Sequence, residues 1–134
     1  MAEIKNFRTL AEQVGHVKNL FIGDSITSSW PLHEFFPNHS IINRGLGSDN
    51  ALGIHSRLDD DVFPYQPERV FILSGLNGIS DEIDLIVNNL GAVAEIIRDK
   101  GSKVFLSSIL PLRDVEGNDR FIYQDKVLQI NQRL

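Results

Sequence analysis

The alternation of short apolar runs with longer helical stripes is the feature that most constrains this chain. Arg69-Val70-Phe71-Ile72-Leu73-Ser74 is near-continuously apolar, as expected of a parallel strand covered on both faces. Val17 to Ile22 and Lys103-Val104-Phe105-Leu106-Ser107-Ser108 read the same way, and Ser40 to Asn43 is a shorter strand candidate. Segments with helical spacing lie between them. Asp49 to Val62 carries Ala51, Ile54 and Leu58. Ile83, Ile86, Leu90, Val93 and Ile97 form one apolar stripe. Ser80 is placed to cap that helix, with Asp81 and Glu82 in its first turn and Lys100-Gly101 at its end. A polar loop runs from Pro111 to Asn118 with a turn at Glu116-Gly117-Asn118. Asp119 to Leu134 then reads as a last helix that uses Phe121, Leu128 and Ile130. This alternation predicts βαβ units and an α/β fold, a parallel sheet sandwiched by helices. In such sheets the working groups lie in the loops beyond the carboxyl ends of the strands.

A length of 134 residues predicts a single domain over 1–134. The chain contains no cysteine, which excludes a disulfide scaffold, a thiol nucleophile and a thiolate metal site. A net charge of −5 without a basic stripe argues against nucleic acid as a partner. No apolar run approaches the roughly 20 residues that cross a bilayer. The opening Met1-Ala2-Glu3-Ile4-Lys5-Asn6-Phe7-Arg8 mixes both charge signs and lacks a signal peptide's apolar stretch. The expected location is the cytoplasm.

Three polar clusters follow the first three strands. Phe21-Ile22-Gly23-Asp24-Ser25-Ile26-Thr27 puts a serine at a strand-to-helix turn, where its hydroxyl is exposed and its N–H can face a developing negative charge. Asn43-Arg44-Gly45-Leu46-Gly47-Ser48-Asp49-Asn50 is a glycine-rich turn that can aim backbone N–H groups at an anion. Ser74-Gly75-Leu76-Asn77-Gly78 can send an asparagine amide into a cleft. Each of the three, standing alone, is equally the signature of an ordinary turn.

In this order and alternation the three clusters resemble the blocks of the SGNH (GDSL-type) hydrolase family, most nearly the branch of platelet-activating-factor acetylhydrolase. The resemblance covers nearly the whole chain. It implies a flavodoxin-like, three-layer α/β/α fold with a parallel sheet, here lacking the last strand and helix. It also implies hydrolysis of small acyl esters, such as acetyl esters, with no metal or organic cofactor. Ser25 would be the nucleophile and one oxyanion donor through its own N–H. Ser48, which directly precedes Asp49, stands where the family has an oxyanion glycine, and Gly47 takes that place if the register slips by one. Asn77 would supply the third donor. Asp24, Gly47 and Asp49 support these three. Gly78 replaces the family's usual aspartate.

The family's fourth block, Asp-x-x-His, is absent from the sequence. It would supply the general base and the acid that orients it. The expectation is a C-terminally incomplete domain with weak activity or none. His16 precedes the first strand, His33 and His39 follow the nucleophile turn, and His55 lies on a helix. Each reads as a solvated or capping histidine, with His33 and His39 the remaining candidates for a replacement base. With no fifth strand, Lys103 to Ser108 becomes an apolar edge, so a homodimer or another pairing is expected there. Trp30, Phe35 and Phe36 are candidates for an acyl pocket or for core packing. Asp59-Asp60-Asp61 reads as a solvated helix end, and Asp114 to Asp119 as a mildly calcium-like surface loop.

Two rival readings remain. A flavodoxin-like module would cradle a phosphate or flavin with Ser25, Thr27, Ser28 and Ser29. An inactive scaffold of the same family would keep the pocket for binding alone. A response-regulator receiver fits less well, because the third strand ends in Ser74-Gly75 with no acceptor aspartate.

Overall fold

A computed structural model describes residues 9–114, 116 and 119–134. The opening segment Met1 to Arg8 lies outside the described residues, as do Val115, Gly117 and Asn118 of the calcium-like loop and its turn. Helical residues 9–14 (α1) lead into four parallel strands: β1 (Asn19–Gly23), β2 (Ile41–Gly45), β3 (Arg69–Leu73) and β4 (Lys103–Leu106). The sheet order is β2-β1-β3-β4, with Gly23 level with both Gly45 and Leu73. Because strand side chains alternate between faces, Leu20, Ile22, Val70 and Ile72 share one face, where all four are buried. Phe21 and Phe71 share the other.

The first face is covered by α4 (Ala51–Ser56), α5 (Leu58–Asp61) and the long α6 (Ile83–Asp99), through Ile54, Leu58, Val93 and Ile97. The second face carries the short α2 (Ser25–Ser28) and α3 (Leu32–Phe35), which pack on β2. Close approach explains Gly45: a Cβ there would lie 2.1 Å from the Ser28 nitrogen. Asn43 reinforces the contact by donating to the carbonyls of Thr27 (2.7 Å) and Trp30 (3.1 Å). No helix among the described residues is long and apolar enough to cross a membrane.

Several local expectations are corrected. Asp49 to Val62 is not one helix. It breaks at Arg57, whose backbone (φ −117°, ψ 10°) leaves the helical region while its side chain turns into the core. Ser80 does not cap α6. The Asp81 N–H bonds the Gly78 carbonyl at 2.9 Å, closing a turn ahead of the helix, and Glu82 takes the cap position. The end of α6 is as expected, with Gly101 in the left-handed region at φ +100°. Asp119 to Leu134 divides into a tight turn over Asp119–Tyr123 and α7 (Gln124–Asn131). Val127 and Ile130 are buried there, whereas Phe121 and Leu128 are exposed. Polar anchors set this orientation: Asn131 bonds both the N–H (2.7 Å) and the carbonyl (2.8 Å) of Ile109, and Gln124 accepts from the Leu112 N–H at 2.6 Å.

Gly45→Ala is expected to cost about 1–3 kcal/mol or more, because its neighbour is backbone and cannot step aside. Urea denaturation of the variant and the parent chain measures this directly.

Candidate active site

The register places the ends of β1, β2 and β3 side by side, so the loops that follow them share one edge of the sheet. Ser25 is exposed there as the first residue of α2. Asp24 beneath it is buried, and its carboxylate accepts the Ile26 N–H at 2.9 Å, capping the helix. Burial pushes the Asp24 carboxyl above its ordinary pKa, with the negative charge of Asp49 adding to the shift.

The second loop is tied to both of its neighbours. The Leu46 N–H donates to the Gly23 carbonyl at 2.9 Å. The Asn77 amide of the third loop donates to the Asp49 carbonyl at 2.8 Å. Ser48 adopts φ +63°, in the left-handed region that glycine favours, whereas Gly47 does not. No hydrogen bond among the described residues uses the Ser48 N–H.

Beneath these loops lies a buried ion cluster that the sequence reading missed. Arg57 is 2% exposed. Its guanidinium meets the Asp49 carboxylate at 2.8–2.9 Å and Asp61 at 2.6 Å. It also donates to the Arg44 carbonyl at 3.0 Å and reaches the Gly23 carbonyl at 3.4 Å. One side chain thus joins the ends of β1 and β2 to the start of α4 and to α5. Asp61 is wholly buried, which corrects its reading as part of a solvated run. Gly53 admits the Asp49 carboxylate, since a Cβ there would lie 1.8 Å from Oδ1. Nearby, the buried Arg44 bonds the Tyr65 hydroxyl, with its guanidinium 4.8 Å from that ring's centre. The available signal was spacing: Arg57 and Asp61 fall on the same stripe as Ile54 and Leu58, and opposite charges four residues apart on a buried stripe pair there.

Trp30 stands edge-on to Phe21 at 5.5 Å. With Phe21, Thr27, Phe71, Leu73 and Ser107 it lines a cavity of about 280 Å³. Phe36 lines a separate cavity, and Phe35 is 66% exposed and lines neither. The four histidines are all exposed. His39 shares its cavity with Asn19 and Ile41, the first residues of β1 and β2, so it sits at the opposite end of the sheet from Ser25. Among the described residues no cluster of His, Asp and Glu is arranged to hold a metal.

Comparison with solved structures matches this arrangement. The chain superposes on a GDSL-like lipase from Bacteroides thetaiotaomicron (TM-score 0.85, 24% identity), covering 98% of this chain and 71% of that one. It superposes equally well on a structure described as a platelet activating factor from Streptococcus pneumonia (TM-score 0.84, 30% identity, 96% and 64% covered). The chain shares the fold of these GDSL-like structures. An acetylxylan esterase from Geobacillus stearothermophilus shares the fold more distantly (TM-score 0.66, 18% identity, 90% and 72% covered). The chain spans 64% of the length of its streptococcal neighbour. No family model and no curated protein matches the sequence.

Two measurements test the buried charges. Arg57→Met is expected to cost about 3–5 kcal/mol, because it strands two buried carboxylates. Arg133→Met, which breaks an exposed pair with Asp84, should cost under about 1 kcal/mol in the same denaturation assay. The raised pKa of Asp24 makes the folded state hold its proton more tightly than the unfolded chain does. Its contribution to stability therefore falls as pH rises above the ordinary value of 3.8. Asp24→Asn keeps a capping oxygen and removes that penalty. Its stability relative to the parent should rise between pH 4 and 7, and a flat difference would contradict the assignment.

Proposed function

We propose that this chain is a serine ester hydrolase acting on small acyl esters. The observation that carries this is the joining of three loops at one sheet edge around an exposed Ser25, with Asn77 bonded across to the Asp49 carbonyl. In the reaction, the Ser25 hydroxyl attacks the ester carbonyl. The N–H groups of Ser25 and Ser48 and the Asn77 amide receive the charge on the carbonyl oxygen. The alcohol leaves with a proton, and water then releases the acid from the acyl-serine.

The weak point is the base. No Asp-x-x-His occurs, and a serine hydroxyl without a base is a poor nucleophile. In a serine hydrolase, losing the base costs on the order of 10⁶ in turnover, so turnover by this chain should be slow. The same observation favours the second reading, a scaffold that binds esters or carboxylates without turning them over. The phosphate-binding reading fits less well. The Ile26 N–H at the start of the four-residue α2 is already capped by the carboxylate of Asp24, which repels a phosphate.

Hydrolysis of p-nitrophenyl acetate tests the proposal. Ser25→Ala should lower the rate to that of buffer, and Asn77→Ala should lower it by about 10²–10³-fold, to within error of buffer where the parent rate is small. Parent turnover that survives Ser25→Ala unchanged would overturn the reading. Saturable acetate binding with no turnover would favour the scaffold.

A further inference from the structure

We propose that Asn77-Gly78 is a site of spontaneous deamidation, restrained by the hydrogen bond that Asn77 makes to the second loop. The modification itself follows from the turn. Only its effect on hydrolysis rests on the function proposed above. An asparagine loses its side-chain amide when the backbone nitrogen of the next residue attacks Cγ, and a Cβ on that next residue obstructs the approach. Glycine removes the obstruction. Asn77-Gly78 is the only Asn-Gly pair among the 134 residues.

The turn leaves both reacting groups available. No hydrogen bond among the described residues uses the Gly78 N–H. The turn around the pair is closed by the Ile79 N–H on the Leu76 carbonyl at 3.3 Å, which is long for such a bond. The Asn77 side chain is half-buried, and among the described residues one bond fixes it: Nδ2 donates to the Asp49 carbonyl at 2.8 Å. Other asparagines are held at both ends of the amide. Asn43 donates to two carbonyls and accepts from the Gly45 N–H, and Asn131 clasps both backbone groups of Ile109. Each of these is followed by a residue with a long side chain, Arg44 or Gln132.

In the reaction the Gly78 nitrogen forms a bond to Cγ of Asn77. The Cγ–Nδ2 bond breaks, and ammonia leaves with the amide nitrogen and the Gly78 proton. Water then opens the cyclic imide. Opening at Cγ leaves aspartate at position 77, and opening at the main-chain carbonyl leaves isoaspartate. Ammonia cannot depart while Nδ2 is bonded to the Asp49 carbonyl, so a neutral hydrogen bond there slows the step about two- to tenfold. In both products the amide is gone and a carboxylate stands in the turn. The tie between the second and third loops is lost, and negative charge replaces one of the proposed oxyanion donors.

Peptide mass spectrometry of the chain held at mildly alkaline pH reads the reaction, with isoaspartate and aspartate separated by chromatography. In the folded chain, conversion at position 77 should exceed that at every other asparagine. It should run about two- to tenfold faster, or more, in urea, where the bond to Asp49 is absent. Gly78→Ala should suppress it in both conditions. A Cβ at position 78 would meet only the exposed Asp81 carboxylate, at 3.1 Å, so this variant should fold, and its measurement in urea does not depend on folding. An unmodified Asn77 in the folded chain, or conversion indifferent to Gly78→Ala, would overturn the proposal. Equal rates with and without urea would overturn the restraint by Asp49. Hydrolysis of p-nitrophenyl acetate by the aged chain separates this inference from the functional reading. Turnover that falls in step with conversion supports both, whereas conversion with turnover unchanged overturns the placement of Asn77 as a donor and leaves the modification standing.

Discussion

The ion cluster around Arg57 is the interaction on which the site geometry depends. A guanidinium removed from water loses several kcal/mol of hydration, and here two carboxylates and two backbone carbonyls replace the lost contacts. Those partners lie at the ends of β1 and β2, at the start of α4 and in α5. The cluster therefore fixes Asp49, and the Asp49 carbonyl in turn receives the Asn77 amide. A chain of bonds runs from the sheet interior to the third loop. Ser48, in its left-handed conformation, is held between Leu46 and Asp49, both of which are anchored.

The elements that carry a single, long signal were legible in the sequence. The stripe Ile86, Leu90, Val93 and Ile97 is buried as read, and β3 lies within its apolar run. The loops of the candidate site were legible because the turn residues and the strand ends coincide. Shorter signals failed where tertiary contacts outweighed propensity. Helical periodicity ran straight through Arg57, because spacing does not reveal a side chain that folds back to find two carboxylates. Ser80 looked like a cap until the turn at Gly78 took up the local N–H. Of the apolar residues read in the last helix, Ile130 is buried with Val127 while Phe121 and Leu128 are exposed, an orientation held by the hydrogen bonds of Asn131 and Gln124.

The same arrangement sets the proposed site apart from the four histidines. Ser25, the Ser48 backbone and Asn77 come from the loops after β1, β2 and β3, and these need only the central sheet and Arg57. A general base must reach the same edge from another element. His39 lies at the far end of the strands, and His16, His33 and His55 are exposed on unrelated segments. Asp24 is close to Ser25 but buried, with its carboxylate engaged by the Ile26 N–H.

Trapping the covalent intermediate tests the central claim most directly. Slow attack followed by deacylation without a base should let an acyl-serine accumulate. Mass spectrometry of peptides after incubation with p-nitrophenyl acetate is predicted to place one acetyl group on Ser25, and less of it when Asn77 is replaced by alanine. Acetylation confined to lysines, with the Ser25 peptide unmodified, would contradict the account.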